Sequence, residues 1–157
     1  MMIRRANKTA SALLILSALP GCSFFDSEML TACEASLKKR LRSPSEYERI
    51  EIHRSEEKLD RNAFSKHLAS INSTTYSSTM RRFDSGDLSP TQFTLIISYD
   101  APNAYGTPIR GIVQCEYVDI GGDESRAHEV TVEIDGQTYT DWLTDAIMAE
   151  AASSAAD

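Results

Sequence analysis

The sequence predicts an α+β domain in which an antiparallel sheet of about four strands packs against an N-terminal helix, with a short C-terminal helix after the sheet. Three observations carry this. Leu30, Cys33, Leu37 and Leu41 recur at spacings of three, four and four, which places them on one face of a helix. Phe93, Leu95, Ile97 and Tyr99 alternate with Thr94, Ile96 and Ser98, and Val113, Cys115 and Tyr117 alternate with Gln114 and Glu116. Alternation of this kind fits neighbouring antiparallel strands with one face on a helix. At 157 residues the chain supports one such core rather than several stacked domains.

Asp26 is the expected N-cap of the first helix, with Phe25 packing on Leu30 as a hydrophobic staple. Lys38, Lys39, Arg40 and Arg42 crowd its last turns, where the helix dipole favours cations, and Ser43-Pro44 should stop it. The basic cluster reads as a solvated face; contact with lipid headgroups or peptidoglycan is the alternative. Glu48 to Arg54 reads as a strand with Ile50 and Ile52 on one face and Arg49, Glu51 and His53 on the other. Ser55 to Ile71 is ambiguous, with Ala63, Phe64, Leu68 and Ile71 able to form a short helix after Asp60. The Ser/Thr-rich run Asn72 to Ser78 and the Gly- and Pro-containing run Asp84 to Pro90 read mostly as loop, with a short ordered piece around Tyr76 to Phe83.

The two clearest strands follow, Thr91 to Asp100 and Ile109 to Ile120. Between them Asn103, Gly106 and two prolines favour tight turns. Glu129 to Ile134 gives a further strand, Asp135-Gly136 a tight hairpin turn, and Gln137 to Tyr139 a short returning strand. Asp141 should cap a final helix whose Leu143, Ala146 and Ile147 face inward, leaving Ala151 to Asp157 as a flexible tail.

The first segment reads as an export signal. Arg4, Arg5 and Lys8 form a positive n-region, and Ala10 to Leu19 an apolar run of ten residues, too short to span a bilayer. It ends in Leu19-Pro20-Gly21-Cys22, which resembles the lipobox of bacterial lipoproteins; Pro20 stands where Ser or Ala is commoner. The resemblance implies cleavage before Cys22, a diacylglyceryl group on its sulfur and usually an acylated new amino terminus. Several acyl chains make a durable anchor where one does not. Ser23, rather than Asp, implies outer-membrane delivery, facing the periplasm, if the source is Gram-negative. The expected organisation is therefore 1–21 signal peptide, 22–27 tether, 28–150 domain and 151–157 tail.

Removing 1–21 takes away three of the 16 Lys+Arg and none of the 23 Asp+Glu, so the formal charge moves from -7 to -10. This balance argues against nucleic-acid binding, which needs clustered Lys and Arg, and makes the acyl chains rather than a basic patch the means of holding the membrane. Export places Cys33 and Cys115 in an oxidising compartment. With Cys22 lipidated, the remaining two suggest one disulfide clamping helix to sheet; two free buried thiols are the alternative. There is no Cys-x-x-Cys, so the bond reads as structural rather than redox-active.

Cys33, Ser43-Pro44 and the run from Asn103 through Tyr105-Gly106 and Arg110 to Cys115 resemble small exported bacterial proteins of uncharacterised function. Those proteins pair a cysteine in an early helix with one that follows an Asn-x-aromatic-Gly turn. The resemblance covers roughly 33–117, implies a small disulfide-linked α+β domain, and transfers no catalytic residue.

No phosphate-binding glycine loop, nucleophile elbow or His-Glu-x-x-His helix occurs, and His53, His67 and His128 are scattered. Asp119 to Glu124 lacks EF-hand spacing and reads as an acidic solvent turn. No catalytic residue, metal or cofactor is therefore assigned. The leading expectation is a non-catalytic, lipid-anchored protein of the bacterial envelope. Asn103, Tyr105 and Arg110 would form its surface for an envelope protein or peptidoglycan, Tyr105 and Arg110 offering stacking and charged hydrogen bonding. A small-ligand binder or weak hydrolase, with a pocket ringed by His67, Asp100 and Arg110, is the second reading. A surface-exclusion or inhibitor lipoprotein is the third.

Overall fold

The computed structural model describes residues 26–154. The expected signal segment, Cys22, Phe25 and the last three residues of the expected tail lie outside the described residues. In chain order the elements are α1 (Glu28–Lys38), β1 (Glu48–Lys58), α2 (Arg61–Ser70), α3 (Tyr76–Asp84), β2 (Thr91–Pro102), β3 (Pro108–Asp119), β4 (Glu133–Ile134), β5 (Gln137–Thr138) and α4 (Tyr139–Ser154). Short 3₁₀ turns occupy Pro44–Glu46 and Glu124–Arg126. The five strands pair antiparallel in sequential order; the count exceeds the expected four or so by the two-residue β5, the short returning strand expected after the Asp135-Gly136 turn.

The core lies between one sheet face and α1. Met29, Leu30, Ala32, Cys33 and Leu37 pack on Phe93, Leu95, Ile97, Val113, Cys115, Val132 and Ile134. Burying a side chain of leucine or isoleucine size contributes about 1.5–3 kcal/mol, so this layer dominates the stabilisation of the domain. Cys33 and Cys115 are disulfide-bonded inside it, both fully buried. Cys115 faces Leu95 on β2 and Ile134 on β4, so the bond ties the helix to the middle of the sheet.

The N-cap of α1 is Ser27, not Asp26: the Ser27 hydroxyl accepts from the Leu30 amide at 3.2 Å. Asp26 instead pairs with Arg49 at 3.0 Å, and Arg49 also reaches Glu34 at 3.2 Å. Aspartate and serine are comparable caps, and the ion pair to β1 decides between them. The helix also ends at Lys38, ahead of Ser43-Pro44. Arg40 and Leu41 donate to the carbonyls of Leu37 and Lys38 three residues back, and the Arg40 guanidinium crosses to the carbonyls of Ile134 and Gln137.

β1 runs four residues beyond the expected Arg54, and a bulge separates Arg49 from Glu51. The bulge removes Ile50 from the face it was expected to share with Ile52. Arg49 and Ile52 sit opposite Tyr99 and Ile97 on the core side, and Ile50 is left exposed. One extra residue in a strand reverses the facing of everything before it.

Between β1 and β2, Asp60 caps α2 as expected, accepting from the Ala63 amide at 2.7 Å. The short ordered piece expected around Tyr76 to Phe83 is helix α3, which packs on α2 through Phe64, Leu68 and Met80 in a cluster separate from the main core. Arg61 clamps Asp84 with two bonds of 2.8 and 3.2 Å, and Ser65 meets Tyr76 at 2.6 Å.

Further expectations change near the C-terminus. The β4 strand is confined to Glu133–Ile134, because the amides of Thr131 and Val132 both donate to the His128 carbonyl and curl the chain. Asp135-Gly136 makes the expected tight turn, both residues at positive φ (51° and 77°). Helix α4 begins at Tyr139, so Asp141 lies within its first turn, where its carboxylate accepts from the Thr138 hydroxyl at 2.6 Å. The helix is 16 residues long and includes Ala151 to Ser154, and Leu143, Ala146 and Ile147 are exposed rather than inward-facing.

Candidate functional site

The β2–β3 hairpin carries the three residues expected to form a recognition surface. Strand pairing continues to Pro102 opposite Pro108, so the connection is short. The Asn103 side-chain oxygen accepts from the amides of Tyr105 at 2.9 Å and Thr107 at 3.1 Å, while the Asn103 amide donates to the Thr107 carbonyl. Gly106 takes φ +77°, a conformation a side chain would strain. Asn103 is thus occupied in holding the turn. Tyr105 stands at its apex with 92% of its surface exposed.

Arg110 and Asp100 face each other across the two strands and form a bidentate ion pair at 2.8 and 2.9 Å. The guanidinium holds the Asp100 carboxyl below the ordinary carboxylate range, chiefly through the hydrogen bond, and the carboxylate raises Arg110 in return. The pair neutralises both charges on this end of the sheet. Ile109 and Ile112 are also exposed beside it. The hairpin therefore brings Asn103, Tyr105 and Arg110 together, but offers Tyr105 and apolar surface rather than a free cation.

The ring of His67, Asp100 and Arg110 expected for a ligand pocket does not form. Asp100 lies eight residues along β2 from Gln92, roughly 26 Å at the usual strand rise, and His67 belongs to the Gln92 end. There α2 stands against the sheet face turned away from the core and leaves a groove of about 510 Å³. Glu116 and Glu133 pair directly across β3 and β4 on its floor, and Gln92 donates to Glu116 at 2.6 Å. Ile71 and Val118 give it apolar wall. Burial, followed by Glu116 and Asp141, raises the Glu133 carboxyl above its ordinary value. Burial lowers His67, which favours its neutral ring. The sequence concealed this site because Glu116 and Glu133 are 17 positions apart and become neighbours only through strand register.

Asp119, the last residue of β3, is buried and accepts from the amides of Gly121 at 2.7 Å and Asp123 at 3.1 Å in the turn that follows. It shapes the acidic turn from within. Among the described residues no group of three or more His, Cys, Asp or Glu side chains is placed to hold a metal ion. None of the described helices is long and apolar enough to cross a membrane.

These elements define a small α+β domain with one buried disulfide, a sequential antiparallel sheet and an inserted helical hairpin. Compared with protein-family models, curated proteins and solved structures, the chain has no match in any of the three.

Proposed function

We propose that this chain is a lipid-anchored protein of the bacterial envelope, non-catalytic, that binds an envelope protein or cell-wall component near the membrane through the β2–β3 hairpin end. Acyl chains on Cys22 would hold it in the membrane. The observation that carries the binding part is Tyr105, 92% exposed on a turn whose polar groups are satisfied internally. Because the turn backbone is already ordered, presenting this ring adds no loop-ordering cost on binding, and tyrosine is enriched among the residues that dominate interfaces. Internal pairing of Asp100 with Arg110 lowers the desolvation cost of covering the surrounding surface.

The test has two arms. Labelled palmitate should enter the parent protein and be absent from Cys22→Ala. Capture from detergent-solubilised envelope should return a discrete partner with the parent and lose it with Tyr105→Ala, whose circular dichroism should be unchanged. Label persisting in Cys22→Ala would sink the anchor. An identical partner set with Tyr105→Ala would sink the hairpin surface. A second reading, binding of a small ligand, is favoured by the groove beside α2.

A further inference from the structure

We infer that the groove between α2 and the outer sheet face is a binding site for a small organic cation, an aliphatic primary ammonium. This inference stands on the groove alone and is independent of the lipid anchor and of the hairpin surface. Its volume, about 510 Å³, lies in the range of ligand pockets. The chemistry follows from which polar groups are already used. The Gln92 amide donates to one Glu116 oxygen at 2.6 Å. The Thr131 hydroxyl both donates to and accepts from the His128 backbone, and the hydroxyls of Thr138 and Ser70 donate to Asp141 and to the His67 carbonyl.

Among the described residues, the lining groups left without hydrogen-bond partners are the second Glu116 oxygen, the Glu133 carboxylate and the neutral His67 ring. These are mainly acceptors, so the fitting ligand must supply donors and positive charge. An ammonium supplies three N–H donors.

Charge leads to the same class. Glu116 and Glu133 are cross-strand neighbours, an arrangement that disfavours two negative charges side by side and that a cation entering between them would relieve. No Lys or Arg lines the groove. A bare divalent metal fits poorly, since calcium takes six to eight oxygen ligands and these two carboxylates fall short. Ile71 and Val118 offer the wall against which a short alkyl stem would lie.

The probes are pentylamine, pentyltrimethylammonium, pentanoate and calcium, titrated into the protein and followed by amide chemical shifts. Pentylamine should shift Val118, Thr131 and Glu133. Pentyltrimethylammonium, which brings charge but no donors, should bind about tenfold more weakly, and pentanoate should not bind. Glu116→Gln and Glu133→Gln should each weaken pentylamine about tenfold or more, while Glu150→Gln on α4 leaves it unchanged. Equal weakening by Glu150→Gln would reduce the effect to the acidic surface as a whole and overturn the site. Shifts confined to other residues, or tighter binding of calcium or pentanoate than of pentylamine, would also overturn it. Both glutamine variants keep side-chain shape, and unchanged amide spectra without ligand would show that folding is intact.

Discussion

Ser36 is fully buried in α1 and its hydroxyl has no hydrogen-bond partner among the described residues. An unpaired buried hydroxyl costs stability, so Ser36→Ala should stabilise the domain by about 1 kcal/mol in urea unfolding, with an unchanged m-value. A loss of stability instead would place a partner on that oxygen. Glu133 carries the opposite problem, a charge the fold disfavours. Its carboxyl is raised in the folded state, first by burial and then by Glu116 and Asp141. Folding therefore binds a proton between the unfolded and folded values, and stability falls as pH rises through that window. Glu133→Gln should be more stable than the parent at pH 7 by roughly 0.5 kcal/mol, the small scale set by partial exposure. The advantage should vanish below the ordinary carboxylate range. Thermal melts at the two pH values read the difference directly. Sequence disclosed neither problem: a serine beside the Cys33 and Leu37 stripe does not show whether its hydroxyl finds a partner, and Glu133 acquires its neighbour through strand pairing.

At the scale of elements, legibility followed the strength of the period. β2 and β3 carry the clearest alternation, through Phe93, Leu95 and Ile97 and through Val113, Cys115 and Tyr117, and both have the expected face inward. The stripe of α1 likewise faces the core through Leu30, Cys33 and Leu37. α3 is legible only as a short ordered piece of no stated type, because its Ser and Thr side chains imitate loop composition while Tyr76, Met80 and Phe83 provide only a sparse stripe. Its end is nevertheless written in Gly86, which takes φ +83° while Asp87 donates to the Arg82 carbonyl five residues back. Asn72, at φ 48°, ends α2 in the same way, with Ser73 donating to Leu68. Each sits one residue past its helix cap, Asn72 after Ile71 and Gly86 after Ser85, in the left-handed position that closes a helix. Gly86→Ala meets no atom within 4 Å, so its cost is backbone strain alone. It should destabilise by about 1 kcal/mol, and amide exchange should quicken through α3 while β2 and β3 stay protected. Uniform quickening would tie the helical hairpin to the main core more tightly than its separate cluster implies.

The whole molecule is held together by long-range closures. The Cys33–Cys115 bond spans 82 residues and encloses β1, α2, α3 and β2. A loop of that length is worth on the order of 4 kcal/mol in the chain-entropy description, a large part of a small domain's stability. The double variant Cys33→Ser, Cys115→Ser should lose about that much in denaturant unfolding, and a loss under 1 kcal/mol would mean that packing of α1 suffices without the bond. Helix, strands and cysteine pairing were readable because each depends on a local period or a count. The groove was not, since it arises where the helical insertion stands over a sheet face whose register fixes two glutamates side by side. The hairpin surface lies between these cases: its residues were visible, but the engagement of Asn103 and Arg110 within the turn was not. On the proposed reading, Tyr105 is the group through which an anchored domain would meet its partner. Photo-crosslinking from position 105 in intact cells tests this most directly. The account predicts one discrete adduct from position 105, none from position 57 on β1, and loss of the adduct in Cys22→Ala. Equal adducts from both positions, or an undiminished adduct in Cys22→Ala, would contradict it.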